Sequence, residues 1–296
     1  MTHFAATEPS MHDIGDSQNE DRNIRRQLAK AHFYKVGNLW HFAGSAMAIV
    51  FALVSPVVLL WYPDQGPLLG ALAGIWIFAS RLVFEPIKLS YQLKGAAVQE
   101  LFDCDVLGLT WNDVLVREPS DEEIRSASRA IKKQKKVAGQ KNWYPAQVAC
   151  EWPRSVIICQ RANSVWSRRQ QRAYGKLLVC LAVLWALCGI VLALIHHASL
   201  AEYLTTIALP SLPAVLDATD LSKNHFKAST RLQEIEDASN ALFDSSSVVA
   251  DDLREIQDLI FDFRREAPPV AGWFYRVLAK KYEADMRYAA GERADR

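Results

Sequence analysis

The chain has 296 residues, half of them hydrophobic, with 34 basic against 33 acidic side chains and nine tryptophans. Near-neutral charge excludes a uniformly basic nucleic-acid binder and an acidic disordered chain, and the apolar fraction is ample for a core. Cys104, Cys150, Cys159, Cys180 and Cys188 share no metal-ligand or redox spacing, and Cys180 and Cys188 read as small hydrophobes inside an apolar run.

Residues 1–23 are polar and read as a disordered N-terminus. A first hairpin follows over 24–87. No Asp, Glu, Lys or Arg occurs from Val36 to Pro63, which exceeds the roughly 20 apolar residues needed to cross a bilayer core as helix. About 40 polar residues precede this run and no small-residue cleavage site follows, which argues against a signal peptide. The spacing predicts spans at 42–62 and 67–86, separated only by the turn Tyr62-Pro-Asp-Gln-Gly66. Arg81 and Glu85 lie one helical turn apart near the end of the second span. They read either as a functional ionisable pair or as an ion pair that snorkels to the surface.

Residues 88–174 form an insert. The wider stretch 88–176 holds 16 basic and nine acidic side chains, net +7. Its start continues the second span beyond a kink at Pro86, with Ile87, Tyr91, Val98 and Phe102 near helical spacing. The helix breaks around Gly108, and Ser120 caps the next one ahead of Asp121, Glu122 and Glu123. Lys132, Lys133, Lys135 and Lys136 then read as a solvated helix end or as a patch that attracts phosphate or lipid headgroups. From Arg154 a helix is predicted to run unbroken into the third span. Gln160, Arg161 and Asn163 fall on it within one turn, near Trp166; Trp111 and Asn112 precede it. Arg can hold phosphate, Asn or Gln can read a base edge and Trp can stack on a base. The same side chains also suit capping and bridging between helices.

A second hairpin covers 175–217, with spans at 176–196 and 199–217; the latter contains Glu202, Pro210 and Pro213. His196 and His197 lie in its turn, as interfacial residues or a weak metal pair. Basic residues precede the first and third spans and are missing from both short turns, so both termini and the insert are expected to face the cytoplasm. Residues 218–296 form a helical tail; 217–296 carry net −4. Ser245-Ser-Ser247 is expected to cap a helix in which Val249, Leu253, Ile256, Ile260 and Phe263 form a stripe, and Pro268-Pro269 end it. The fold class is therefore an all-α membrane protein, with four transmembrane helices in two hairpins and helical cytoplasmic segments.

No glycine-rich phosphate loop, HExxH, paired-cysteine metal site or GxSxG elbow occurs, and no catalytic, cofactor or metal residues are assigned. Five stretches carry a resemblance: Gln99-Glu-Leu-Phe-Asp103 with Leu109-Thr-Trp-Asn112; Asn142-Trp-Tyr-Pro145; Cys159-Gln-Arg-Ala-Asn163 with Trp166; Leu209-Pro-Ser-Leu-Pro213; and Phe263-Arg-Arg-Glu-Ala-Pro-Pro-Val270 with Trp273-Phe-Tyr275. In this order, and across nearly the whole chain from about residue 18, they resemble the SMODS-associated four-transmembrane effectors of bacterial cyclic-oligonucleotide-based antiphage signalling (CBASS). Ser167 departs from the family pattern, which commonly has an acid after the Trp.

The resemblance implies an antiphage effector in the bacterial inner membrane that binds a cyclic oligonucleotide made by a partner nucleotidyltransferase. It further implies oligomerisation and a leaky membrane, with no DNA or RNA polymer as partner. Arg161 and the lysines Lys132, Lys133 and Lys136 are then the expected phosphate contacts. Trp111, Asn112, Gln160 and Asn163 are expected near base or sugar. Two other classes fit the residues: a transporter or channel built around Arg81 and Glu85, and a membrane scaffold that recruits through the Val249 to Phe263 stripe.

Overall fold

The computed structural model describes residues 14–131, 139–144 and 151–278. Within them the regular elements are helical: α1 (Ile14–Ser17), α2 (Asp21–Trp61), α3 (Gly66–Ala79), α4 (Glu85–Leu107), α5 (Asp121–Arg129), α6 (Arg154–Ile195), α7 (Leu200–Tyr203), α8 (Leu209–Phe243) and α9 (Ala250–Glu266). Residues 272–278 are also helical.

Three stretches, Asp21–Leu59, Gly66–Leu107 and Arg154–Ile195, are long and apolar enough to cross a membrane. The fourth expected span is not among them. It is divided between α7, a π-turn at Leu204–Ala208 and the proline-bearing start of α8. A second π-turn, Ser80–Phe84, joins α3 to α4 just before Pro86. Proline removes a backbone donor and clashes with the preceding turn, so widening that turn relieves both problems without ending the helix. The second span thus continues into the insert, and α6 runs unbroken from Arg154 to Ile195 as its spacing predicts.

Connections follow local chemistry. Gly108 takes φ 68°, a left-handed conformation that costs a glycine little, and stops α4. Ser120 Oγ accepts the Glu123 N–H and opens α5. Ser199 and Glu202 exchange hydrogen bonds in a capping box at α7. Ser245 instead bonds Ser247 within its own turn, and the carboxylate of Asp252 caps α9 by accepting the Val249 N–H at 2.9 Å. An ionised acceptor placed by the helix itself outcompetes the serines.

Helix α2 packs along α3 and α4, and α6 packs along α8, so the apolar end consists of two hairpins; α2 also meets α8. At the polar end, α5 lies on α2, and α9 bridges α4, α6 and α8. One core cluster there joins Ile14, Phe102, Val106, Tyr144, Ile157 and Leu253. A second joins Ala29, Phe33, Val98 and Leu101 to Ile124 and Ala127 of α5. A third sets Ile256, Ile260 and Phe263 against Ala228, Leu232 and Ile235. The tail stripe is therefore consumed within the chain, apart from Val249, which is exposed.

Residues 14–23 depart from the expected disorder. Ile14, Gln18 and Asn23 are buried. Gln18 accepts the Tyr144 N–H at 2.7 Å, and Asn23 donates to Asp105 at 2.9 Å. A polar segment is ordered here because its amides find buried partners far away in sequence.

Candidate functional site

The centre of the polar end is a buried charge cluster. Glu100 and Asp103 lie one turn apart on α4 and are 3% and 0% exposed, values that would be prohibitive for unpaired carboxylates. Helix α9 supplies the partners: Arg254 bonds Glu100, and Arg264 Nη1 lies 2.6 Å from Asp103 Oδ2. Gln257 donates to both, at 2.8 Å to Glu100 and 3.1 Å to Asp103. Tyr144 OH donates to the other Asp103 oxygen at 2.7 Å and accepts from Asn163 at 3.1 Å. Gln160, wholly buried, donates to the Leu253 carbonyl at 2.8 Å. The insert, α6 and the tail are thereby locked to the extension of the second span.

Burial raises the pKa of Glu100, and the Arg254 guanidinium acts against it. Burial would lower Arg264, but the charges of Asp103 and Glu100 more than reverse this and keep it protonated. Burial pushes the Tyr144 phenol well up, reinforced by Asp103, so it remains a donor. Beside the cluster, Lys30 stands 3.6 Å above the Trp143 ring centroid. Burial pulls its ammonium down to about 7, against the attraction of Asp103 and with the repulsion of Arg264.

A second tie lies on the far side of α6. Arg161 Nη2 and Arg168 Nε each reach the buried Glu236 of α8 at 3.0 Å, and Arg161 donates to Asn240 at 2.8 Å. Asn112 donates to Asp258 of α9 at 2.9 Å. The expected ligand residues Asn112, Gln160, Arg161 and Asn163 thus all have protein partners that hold separate segments together, and Gln160 is closed off from solvent in this conformation. Trp111 packs on the cluster containing Ile124, and its indole N–H is buried without an acceptor among the described residues. Lys132, Lys133 and Lys136 lie outside the described residues.

An accessible cationic feature adjoins Ile124. Among the described residues, Arg22, Arg25 and Arg26 of α2 and Arg125 of α5, with Ile124 and Asp121, line a cleft of ≈ 590 Å³. Arg22 and Arg26 share Asp105, at 3.2 and 2.9 Å. Arg25 and Arg125 are exposed and pair with no acid among the described residues. Guanidinium groups can hold phosphate oxygens by charge-assisted hydrogen bonds. From sequence, these arginines serve only as orientation signals, because α5 meets α2 through tertiary contact alone.

Arg81 and Glu85 do not form the expected pair. Glu85 bonds Lys88 at 3.0 Å, while the charge of Arg81 acts on Asp217 across the gap between hairpins. His196 and His197 lie in the turn after α6.

Long apolar helices crowned by a charge-locked helical module define an all-helical membrane protein. The sequence profile of the SMODS-associating 4TM effector domain family matches residues 12–293, and the chain belongs to that family. It is 26% identical over 282 residues, covering 92% of this chain and 95% of the relative, to a probable CBASS effector molecule of Bacillus cereus (strain VD146). No solved structure matches the chain. Four of the five stretches that carry the resemblance contribute to the lock, through Glu100 and Asp103, Tyr144, Gln160 and Asn163, and Arg264, while Arg254 and Gln257 lie outside them.

Proposed function

We propose that this protein is an antiphage effector of the bacterial inner membrane that binds a cyclic oligonucleotide from a partner nucleotidyltransferase and, on binding, perturbs or permeabilises the bilayer as a homo-oligomer. Its spans are multi-pass, with the charged module and both termini in the cytoplasm. The action is binding and rearrangement, with no catalytic step.

The observation that carries this reading is the adjacency of a cleft lined by four arginines, of which Arg22 and Arg26 are partly neutralised by Asp105, to a locked module whose helices are the membrane spans themselves. Arg22, Arg25 and Arg125 hold phosphates, joined by Lys132, Lys133 and Lys136, which follow α5 in sequence. Trp111 provides the aromatic surface beneath Ile124. Asn112, Gln160, Arg161 and Asn163 pass the signal on, since each bridges segments that must move together. A ligand shifts such an equilibrium only as far as it prefers one arrangement. The outward apolar residues Leu184, Leu187, Val191 and Leu194, all exposed in one chain, supply surface for lipid and for neighbouring copies.

Calorimetry of the full chain in nanodiscs with a panel of cyclic di- and trinucleotides tests the reading. Arg25→Glu with Arg125→Glu is expected to weaken binding at least about tenfold per lost phosphate contact while leaving the melting temperature unchanged. Arg161→Ala is expected to bind normally but fail to release dye from liposomes. Unchanged binding by the double arginine variant would remove the cleft from the site.

A further inference from the structure

A larger cleft, ≈ 730 Å³, separates the two hairpins at the junction of spans and module. Each hairpin is close-packed on its own. A Cβ at Gly44 would stand 3.1 Å from Ser80 Oγ, and Trp76 Nε1 donates to the Gly44 carbonyl at 3.0 Å. A Cβ at Gly189 would stand 3.1 Å from Ile207 Cγ2. Small residues let membrane helices approach closely, and here they do so within hairpins. Between the hairpins, charge faces charge.

At the module end the cleft is lined by Lys88, Lys227, Arg231, Asp220 and Glu266; deeper lie Glu85 and then Arg81 and Asp217. Four basic and four acidic groups leave no net charge. Lys88 pairs with Glu85 and Arg231 with Glu266, each at 3.0 Å, while Arg81, Asp217, Asp220 and Lys227 beside hydrocarbon would be costly if dry and fit a water-filled cavity. The balance of signs matches neither an anion site nor a cation site. Deeper still the lining turns apolar at Ala48, Ile49, Ile77 and Leu181. An apolar constriction above a wet cavity excludes water and stops ions without a plug.

We propose that this cleft is a closed aqueous vestibule and that leakage passes between the two hairpins of a single chain, with Ala48, Ile49, Ile77 and Leu181 as the gate. The conduction step rests on the effector reading; the vestibule does not. Because the lining is charge-balanced, the leak discriminates little between small cations and anions. Each copy within the homo-oligomer then carries its own path.

The test uses full-length protein in liposomes, with Cys150→Ala, Cys180→Ala and Cys188→Ala removing all native thiols except the buried Cys104 and Cys159. A cationic methanethiosulfonate reagent added on the module side, without nucleotide, is expected to modify Ser45→Cys more than about fifty-fold faster than the lipid-facing Ile190→Cys, since a charge entering hydrocarbon costs at least about 2.5 kcal/mol. Equal rates would mean a dry or lipid-filled cleft and would overturn the proposal. Leu181→Ser, with Ile49→Ser as a second variant, is expected to release dye without nucleotide. If both fold, as judged by monodisperse elution, and neither leaks, the gate is wrong. If wild type never leaks with any nucleotide while Ser45→Cys labels and Leu181→Ser leaks, the vestibule stands and the effector reading fails.

Discussion

At the module end, the carboxylates of Glu100 and Asp103 are matched oxygen by oxygen to Arg254, Gln257, Arg264 and Tyr144 from segments up to 161 residues away. At the apolar end, the two hairpins face each other across a cleft whose ion pairs, Glu85 with Lys88 and Arg231 with Glu266, are partly exposed. The first arrangement is geometrically exacting, since a buried charge tolerates no partial partner. The second is permissive, because charges facing water lose little when their neighbours shift. Tight at one end and loose at the other, the molecule leaves the hairpins freer to shift against each other than the segments of the module are.

Asp103→Ala attacks the tight end. It leaves Arg264 buried beside fewer anions and removes the acceptor of Tyr144, so a loss of about 3–5 kcal/mol is expected, read as a large fall in melting temperature in detergent. Truncating an outward residue, Leu187→Ala, is expected to change melting by no more than about 0.5 kcal/mol. Comparable losses from the two would erase the contrast.

Lys30 sharpens it through pH. The folded chain releases this proton near 7 while the unfolded chain keeps it to about 10.5. Between these values the unfolded state binds more protons, so this contribution to stability rises with pH and is at its lowest below 7, by at most about 1.4 kcal/mol per unit. Chemical denaturation at pH 6.5, 8 and 9 should show the rise, and Lys30→Met should flatten it. An unchanged slope in that variant would assign the dependence elsewhere.

A local effect belongs to α5, which carries one wall of the arginine cleft. Ser120→Ala removes a single cap and is expected to cost about 1 kcal/mol, seen as faster amide exchange in α5 with the lock undisturbed.

Much of the architecture is legible along the chain. Uncharged runs mark spans by length, Gly108 and Ser120 mark helix ends by backbone and cap chemistry, and the continuity from Arg154 into the third span follows from period alone. The site is less legible. Arg161 and Gln160 have side chains suited to a nucleotide, yet in the fold Glu236 and the Leu253 carbonyl occupy them. Residue type states what a group can bond, while its partner depends on segments that meet only in space.

The sequence by itself determined the helical class, the hairpin order and the sign of charge in each segment, because hydrophobic length, periodicity and net charge are local sums. Only the tertiary structure decided that residues 14–23 are ordered, that Glu85 turns to Lys88 while Arg81 faces Asp217, and that arginines from α2 and α5 share one cleft. Those outcomes depend on which buried polar groups find partners, and pairing across long stretches of chain leaves no periodic trace in the residues that take part.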